Sequence, residues 1–427
     1  MTELRFSWNG RIWLREPLLT LPVALLLLIG GAMVCSATML CENGTWSLAL
    51  RHGFAMVVGL LAAVAFAGLP MRTLGVIAMP SYGLSLVLLV GVLIFGEVQY
   101  GARRWVDLGP LQLQPSEPAK IAFVLCLAAY LGSKRHDLRR PRALLGALGL
   151  ILLPFVLVLK EPDLGTALAF PAVGVVMLIW AGVPWLTLAF LASPFLTVGL
   201  AILPLLVTWQ EAAPHFVWRL LWIPIVAIGV MVMRNRSIAW VPVLAFAVVQ
   251  MGVALETPRI WASLEGYQRS RVVAFLNPEY DPAGAGYQVI QSKIAIGSGS
   301  ATGNGFGRGS QKALAFLPRR HTDFIFSVVG EEWGFLGAAG VLALFGVWLL
   351  RAVSLAVRVR SSFASLVAVG AAALIFYHVA VNVAMTLGLA PVTGLPLPFM
   401  SFGGSFLVVA LGAVGLVLGV AARRNEY

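Results

Sequence analysis

Residues 17–40 read PLLTLPVALLLLIGGAMVCSATML, an apolar run of 24 residues. A helix of this length crosses the hydrocarbon core of a bilayer, which is about 30 Å thick. Comparable runs recur along the chain, of which 59% is hydrophobic and 11% is charged. The sequence therefore predicts a polytopic membrane protein. We expect twelve spans, near residues 17–40, 53–69, 73–96, 115–132, 143–159, 166–182, 184–207, 217–233, 238–255, 324–350, 363–389 and 404–422.

The apolar runs are continuous rather than alternating, which is typical of membrane-spanning helices and excludes a transmembrane β-barrel. Lipid also forbids open sheet edges, because backbone polar groups in the hydrocarbon core must be paired within the protein. The expected fold class is therefore all-α. We predict a single integral membrane domain over residues 1–427, built as a polytopic helical bundle of about twelve spans.

Lys and Arg are unevenly distributed between the two sides of this bundle. If the N-terminus is cytoplasmic, the cytoplasmic loops contain most of the basic residues, including the cluster at 134–142, whereas the short outer loops contain few. The positive-inside rule then predicts that both termini are cytoplasmic. The polar stretch 256–323 becomes a large extracytoplasmic loop with eight basic and five acidic side chains. This excess of basic residues favours an anionic ligand.

The formal net charge of +12 does not indicate nucleic-acid binding. Over half of it belongs to cytoplasmic loops, where membrane topology accounts for it. The three cysteines, Cys35, Cys41 and Cys126, form no disulfide framework. We expect no redox or metal role for them.

The outer loop contains a candidate catalytic acid and a glycine-rich segment. Turns are predicted at Asn277-Pro278 and Asp281-Pro282, because a residue before proline is disfavoured in a helix. The Asp281 carboxylate could act as a general base, or it could accept amide hydrogen bonds in an Asx turn. The glycine-rich segment 297–309 could cradle a phosphate with its amides, or it could be a flexible tether.

Ionisable residues within or beside the predicted spans form a second set of candidates, because such groups are costly in lipid and usually functional. Glu117 and Lys120 are three residues apart, so they lie on one helix face and can pair. Glu331 and Glu332 lie about two turns inside an apolar run, and Asp163 lies between two spans. All of these residues fall on the predicted outer side, which indicates a site at the outer leaflet.

Six segments of the chain resemble segments of the SEDS family, which is named for shape, elongation, division and sporulation. They occur in the same order as in the family. The match of all six is specific, although each segment alone is modest. KEPDLGTA and AIGSG are more similar to the rod-shape, elongation branch (RodA) than to the division branch (FtsW). The segments are GARRWVDLG (101–109), QPSEPAK (114–120), KEPDLGTA (160–167), FLNPEYDPAGAGYQVIQSKIAIGSG (275–299), HTDFIFSVVGEEWG (321–334) and GLPLPFMSFGGS (394–405).

The resemblance implies a peptidoglycan glycosyltransferase that polymerises lipid II at the outer face of the bacterial cytoplasmic membrane during cell elongation. It implies that Asp281 is the catalytic base. A divalent cation, Mg²⁺ or Mn²⁺, bridging pyrophosphate and a carboxylate such as Asp281 would suit this chemistry. Implied partners are a class B penicillin-binding protein, which is a transpeptidase, and the elongation machinery. The implied cavity or substrate-binding residues are Glu117, Lys120, Asp163, Arg103, Arg271, Lys293, Arg308, His321 and Asp323.

The chain departs from the family pattern in two respects. Family members usually have ten spans, and the long interval between Gly165 and Arg269 predicts an extra transmembrane hairpin at 217–255. In addition, Arg319 stands where the family commonly has Glu, and Phe402 stands where it commonly has Tyr. Family roles are therefore not transferred to these two positions.

Functions of other classes are also compatible with the sequence. A transporter that flips lipid II would have polar groups and broken spans in the membrane. The concentration of charged groups on one side favours an enzyme instead. A scaffold for a transpeptidase would not need Asp281. Within the family, the alternative is a division-branch (FtsW-like) glycosyltransferase.

Overall fold

The computed structural model describes most of the chain. Asp281 and Arg319 lie outside the described residues. Two compact units are present, Met1–Gly182 with Tyr287–Tyr427, and Val183–Gly286. The described residues are 16–38, 45–99, 102–107, 112–133, 141–207, 223–235, 240–263, 266–278, 286–309 and 321–424.

The described chain is helical, with one small sheet. In chain order the helices are α1 (Pro17–Thr38), α2 (Thr45–Gly68), α3 (Met71–Phe95), α4 (Ser116–Gly132), α5 (Pro141–Leu159), α6 (Leu164–Trp180), α7 (Trp185–Val207), α8 (Ile223–Asn235), α9 (Trp240–Ser263), α10 (Gly266–Leu276), α11 (Tyr287–Ser298), α12 (Ile325–Arg358), α13 (Ser362–Thr386) and α14 (Gly404–Ala422). The strands are β1 (Glu97–Gln99), β2 (Ala102–Asp107) and β3 (Gln112–Leu113).

The predicted helical bundle is confirmed, since each predicted span overlaps one helix. Among the described residues, seven helices are long and apolar enough to cross a membrane: α1, α3, α12, α13, α14 and most of α2 and α5. The protein is therefore a membrane protein. Two further helices, α10 and α11, lie within the stretch 256–323 and were not predicted. The end of α10 at Leu276 agrees with the turn predicted at Asn277-Pro278.

α14 is the centre of the larger unit. Of its most apolar segment 89% is buried, compared with 22% for that of α2, so α14 is enclosed by other helices whereas α2 has a largely exposed face. The two helices touch through small residues. A Cβ added at Gly415 would lie 2.3 Å from the carbonyl oxygen of Ala63. Contacts of this kind are characteristic of helix pairs in membranes.

A three-stranded antiparallel sheet connects α3 to α4. β2 is the middle strand, with Trp105 paired to Glu97 and Asp107 paired to Gln112. The sheet was not predicted, because strands of three, six and two residues are too short to produce a clear alternation. Its middle strand contains Arg104 and precedes α4 in the chain.

α12 is broken near its start, at Gly334, where φ is 64° and ψ is −162°. A helix break leaves backbone groups on both sides without their usual partners. Before the break, the carbonyls of Glu331 and Glu332 accept hydrogen bonds from the amides of Asn304 and Gly305, both at 3.0 Å. A neighbouring loop therefore replaces the missing helical donors.

The same loop also replaces the missing acceptors. After the break, the amide of Phe335 donates to the carbonyl of Ser300 at 2.9 Å, and the amide of Leu336 donates to that of Ala301 at 3.1 Å. We call residues 299–309 the glycine loop. The backbone of the glycine loop supplies donors before the break in α12 and acceptors after it. The backbone groups on both sides of the break are therefore hydrogen-bonded.

Two glycines of this loop match neither interpretation of the glycine-rich segment. A Cβ at Gly299 would lie 1.9 Å from the carbonyl oxygen of Gly330. At Gly303, where φ is 82°, it would lie 2.1 Å from that of Glu332. These two glycines therefore permit close contact between the loop backbone and that of α12. The amides of residues 303, 304, 305 and 308 already bind carbonyl oxygens, so they are not available to a phosphate.

Charged residues connect four helices at the end of the larger unit opposite the glycine loop. Arg351 of α12 donates to Glu16 Oε2 through Nε at 3.0 Å and Nη2 at 2.6 Å. Arg424, which follows α14, lies 3.8 Å from the other carboxylate oxygen of Glu16. Arg423 donates to the carbonyl of Ala67 at the end of α2 at 2.9 Å. These arginines therefore join the start of α1 to α2, α12 and α14.

In the unit Val183–Gly286, a buried polar contact joins α7 to α9. Thr197 Oγ1 donates to Gln250 Oε1 at 2.6 Å, and Gln250 Nε2 donates to Ser193 Oγ. Hydrogen bonds between helices stabilise such pairs within membranes. α8 and α9 overlap the predicted extra hairpin 217–255. Among the described residues, neither helix belongs to the seven that are long and apolar enough to cross a membrane, so the hairpin stays a prediction.

Candidate active site

A buried ion pair lies at the start of α4. Lys120 Nζ lies 2.9 Å from both carboxylate oxygens of Glu117, as the spacing predicted. Lys120 is 1% exposed and Glu117 is 3% exposed. The same ammonium lies 3.0 Å from Nε2 of His378 on α13 and 5.2 Å from the ring centre of Phe406 on α14. Three helices therefore meet at one buried cation.

Asp163 joins α4, α6 and the sheet. It is the N-cap of α6, where its Oδ1 accepts the amide of Thr166 at 3.1 Å. Its Oδ2 accepts Gln114 Nε2 at 2.9 Å and lies 3.6 Å from Arg104 Nη1. A carboxylate at a helix N-terminus is stabilised by the exposed amides and the helix dipole. Asp163 thus lies between the N-terminus of α6 and the cation of β2.

α13 has one polar face that connects several of the predicted motifs. His378, Asn382 and Thr386 are spaced four residues apart, so they lie on this face. Asn382 Nδ2 donates to the carbonyls of Asp323 and Leu395, at 2.8 and 2.7 Å. The carbonyl of Thr386 accepts a serine hydroxyl of α11 at 2.6 Å. α13 therefore contacts α4 and α11, and it also binds the two segments that contain Asp323 and Leu395.

Glu161 lies between α5 and α6, two residues before Asp163. Its side chain is 0% exposed, and its two carboxylate oxygens have no hydrogen-bond partner within the described residues. Burial raises the pKa of Glu161 to about 8; the negative charge of Asp163 raises it further and Arg104 opposes the shift. Glu161 therefore keeps its proton at neutral pH.

We expect Glu161→Gln to remove a pH dependence of stability. The pKa of Glu161 is about 8 in the folded protein, above the ordinary 4.5. Between these values the folded state binds more protons, so the free energy of unfolding falls as pH rises, by at most about 1.4 kcal/mol per unit. The melting temperatures of wild type and variant in detergent should therefore coincide near pH 5, and the variant should be more stable near pH 9. Parallel curves would contradict the assignment.

The structure places a second group of predicted residues together. The amide of Phe402 donates to the carbonyl of His321 at 2.9 Å, and the two rings meet edge to face, 5.9 Å apart. Ser401 Oγ donates to the carbonyl of Thr322 at 2.6 Å. Asp323 is 7% exposed. The segments HTDF and SFGGS therefore form one structural element, which Asn382 attaches to α13.

The four predicted phosphate-binding cations belong to different elements of the chain. Lys293 and Arg308 are exposed in the larger unit, and Arg271 is exposed in the smaller one. A Cβ at Gly388 would lie 2.8 Å from Lys293 Nζ, so this cation lies at the C-terminal end of α13, where the helix dipole favours it. Arg103 belongs to β2. Within the larger unit, the structure brings together Glu117, Lys120 and Asp163.

Several contacts of the site were not predicted. Tyr377, next to His378, donates to the carbonyl of Gly165 at 2.7 Å and so attaches α13 to α6. A signal for this face did exist, because a histidine and an asparagine four residues apart are unusual in an apolar helix. The residues that sequence reasoning missed are Gln114, Glu161, Tyr377, His378 and Asn382.

The described part of the site does not fit a metal ion. Within the described residues, no group of three or more His, Cys, Asp or Glu side chains is placed to hold one. The carboxylate of Glu117 is paired with Lys120, and that of Asp163 accepts Gln114 and Thr166. Groups of the protein itself therefore already bind both carboxylates.

An apolar cavity of about 620 Å³ lies between α3 and α5. Its walls include exposed side chains such as Val87 and Leu153, so it opens to the surroundings of the helices. On α5 the cavity extends to Leu157, about one turn before Glu161. It therefore approaches the polar residues at the end of that helix. The lining residues are Leu86, Val87, Val90, Gly149, Leu152, Leu153, Val156 and Leu157.

Buried ionisable residues within a membrane helix bundle usually mark a functional site. The family profile FtsW/RodA/SpoVE, described as a cell cycle protein, matches residues 17–217 and 219–426. The chain belongs to this family.

Named relatives support the same assignment. The peptidoglycan glycosyltransferase RodA of Treponema pallidum is 36% identical over 79% of this chain and 81% of its own length. The peptidoglycan glycosyltransferase MrdB of Escherichia coli K12 is 34% identical over 87% of this chain and 84% of its own. A probable peptidoglycan glycosyltransferase FtsW, from Trichlorobacter lovleyi, is 35% identical over 81% of this chain and 76% of its own.

A solved structure also matches over the full length of both chains. It belongs to a peptidoglycan synthase complex that coordinates polymerization and crosslinking. The TM-score is 0.67 and the sequence identity is 32%, with 100% of each chain covered. The helical bundle described above is thus a fold of known peptidoglycan-synthesising membrane proteins.

Proposed function

We propose that this protein is a peptidoglycan glycosyltransferase of the elongation branch, which polymerises lipid II. The observation that carries the proposal is the buried set Glu117, Lys120 and Asp163 in a chain of this family. Relatives named RodA and MrdB support the elongation branch. The FtsW relative supports a division-branch enzyme as the second candidate.

The reaction forms one bond and breaks one. The 4-hydroxyl oxygen of one disaccharide attacks the anomeric carbon of another, and the bond from that carbon to the pyrophosphate oxygen breaks. The electron pair leaves with undecaprenyl pyrophosphate, and the attacked carbon is inverted. We assign the hydroxyl proton to Asp281, which acts as general base.

The charges of the site would act on the leaving group. Negative charge develops on the pyrophosphate as the bond breaks, and fixed cations in a low-dielectric site stabilise it strongly. Lys120 is such a cation because Glu117 and His378 hold it in place. Arg103, Arg271, Lys293, Arg308 and the polar residues His321 and Asp323 remain candidates for contact with the lipid II head group.

The groove between α3 and α5 suits the lipid part of the substrate. Its lining is apolar and open to the side, which matches a polyprenyl chain entering from the membrane. The groove ends near Glu161, so a bound chain would direct its pyrophosphate toward Asp163 and Arg104. This arrangement supports a substrate that remains in the bilayer during the reaction.

Topology and partners complete the proposal. The end that carries Glu16, Arg351 and Arg424 would face the cytoplasm by the positive-inside rule, and the polar site would then face outward. We expect a class B penicillin-binding protein and the elongation machinery as partners. A requirement for Mg²⁺ or Mn²⁺ stays a prediction from the sequence, because the described residues supply no cluster of ligands for it.

Asp281→Asn is expected to reduce polymerisation by about 10²–10⁴-fold, the usual contribution of a general base. The assay uses purified protein with its transpeptidase partner and labelled lipid II in detergent with Mg²⁺, and glycan chains are separated on a gel. Glu279→Gln is the matched control, because it removes a carboxylate from the same loop. A parallel reaction with a chelator tests the divalent cation.

Two results would contradict the proposal in different ways. Full activity of Asp281→Asn would contradict the assignment of Asp281 as the general base, but it would still show that the protein is a polymerase. Failure of the wild type to polymerise, combined with movement of lipid II across vesicle membranes, would identify a transporter instead.

A further inference from the structure

The Lys120 ammonium has two hydrogen-bond acceptors in the described structure, and only one of them is an acid. Glu117 is the first, at 2.9 Å, and His378 is the second, at 3.0 Å from its Nε2. His378 is 0% exposed and lies 258 residues away in sequence. A buried ammonium needs every acceptor that holds it, because loss of one leaves a donor without water or protein partner.

This contact fixes the chemical form of His378. An ammonium can only donate, so Nε2 must be the nitrogen without a proton, and the imidazole is neutral with its proton on Nδ1. A protonated ring would place two cations 3.0 Å apart. His378 therefore acts as an acceptor for Lys120 and adds no charge to the site.

The orientation of the imidazole is set by a different helix. Phe406 of α14 stacks on the His378 ring, with centroids 4.2 Å apart and an interplanar angle of 28°. The same ring of Phe406 lies 5.2 Å from Lys120 Nζ. The backbone position of His378 comes from α13, its ring plane from α14 and its hydrogen bond from α4.

The position of Lys120 affects the rest of the site through α4. Gln114, just before the first turn of this helix, binds Asp163, which in turn caps α6. A shift of α4 at Lys120 would therefore move both the Glu117 carboxylate and the Gln114 amide. Misplacement of a reacting geometry by about 1 Å can reduce a rate by about 10²-fold.

We propose that His378 is a positioning residue for glycan polymerisation: its neutral imidazole holds the Lys120 ammonium against Glu117 and thereby sets the first turn of α4 relative to Asp163. The proposal rests on the proposed function, because it concerns the rate of that reaction. His378 itself does not contact the reacting atoms.

The test compares two replacements of His378 with a control histidine. His378→Phe preserves an aromatic ring for the stack with Phe406 but removes the acceptor, whereas His378→Gln supplies a new acceptor oxygen. His52→Phe is the control, because His52 is 4% exposed and also lies beside a phenylalanine ring, that of Phe402. Each variant is assayed with the transpeptidase partner and labelled lipid II, and its melting temperature is measured.

We expect His378→Phe to lower kcat by about 10²-fold, with KM for lipid II changed less than about threefold, because positioning acts on the reacting geometry. His378→Gln should recover most of the lost kcat, and His52→Phe should keep it. Nitrogen-15 spectra of labelled histidine should show, for the signal missing in His378→Gln, a neutral ring protonated at Nδ1.

Three results would overturn the proposal. One is an unchanged kcat in His378→Phe. Another is an equal loss in His378→Gln and His378→Phe, and the third is failure of both variants to fold, which would make the residue purely structural. Lack of polymerisation by the wild type is distinguishable from all of these, because it rejects the proposed function itself.

Discussion

Gly303→Ala is expected to lower the free energy of unfolding by more than about 4 kcal/mol. The added Cβ would lie 2.1 Å from the carbonyl oxygen of Glu332, and φ at this position is 82°. A left-handed conformation alone costs alanine about 1 kcal/mol. Separation of the glycine loop from α12 would also leave the buried carbonyls of Glu331 and Glu332 unsatisfied, at about 1–3 kcal/mol each.

The measurement is thermal unfolding in detergent, followed by tryptophan fluorescence. Gly297→Ala is the matched control, because a Cβ there meets no atom within 4 Å and the residue belongs to α11. Alanine is favoured over glycine within helices, so this control should be neutral or slightly stabilising. Equal melting temperatures for the two variants would show that the glycine loop does not support α12.

The second large effect is expected at Lys120. Lys120→Met would leave the Glu117 carboxylate buried without its cation, and breaking a buried pair in this way typically costs about 3–5 kcal/mol. The double variant Glu117→Gln with Lys120→Met should recover most of this stability, because neither group is then charged. It should still lack polymerase activity, since the cation is gone.

A solvent-exposed pair with the same spacing is the control for this experiment. Glu256 and Arg259 on α9 are also three residues apart, but their side chains are 52% and 79% exposed. Arg259→Met should therefore cost less than about 1 kcal/mol. Full polymerase activity of the double variant, Glu117→Gln with Lys120→Met, would show that the buried pair only stabilises the fold.

The helical bundle could be predicted because span length and hydrophobicity are local properties. The Glu117–Lys120 pair was predicted for the same reason, since residues three apart share a helix face. His378 was not predicted, because its contact with Lys120 joins residues 258 positions apart. In sequence, His378 and Asn382 mark a polar face of an apolar helix, but nothing local indicates which distant residue that face contacts.

The glycine loop shows a different limit of prediction. Glycines at 297–309 indicate unusual backbone conformations, but they do not indicate what approaches the backbone. The partner is a helix break at Gly334, which lies inside an apolar run and gives no signal by itself. The catalytic assignment of Asp281 came from the family resemblance and is decided by its own assay.

The break at Gly334 also determines how α12 fits the bilayer. As one continuous helix, Ile325–Arg358 would be about 51 Å long at 1.5 Å per residue, far beyond the hydrocarbon thickness. Beyond the break, the segment from Phe335 to Arg358 is only about 36 Å long, which a tilt of ordinary size accommodates. Glu331 and Glu332 precede the break and need not lie in the hydrocarbon, and the membrane need not thicken to cover this helix.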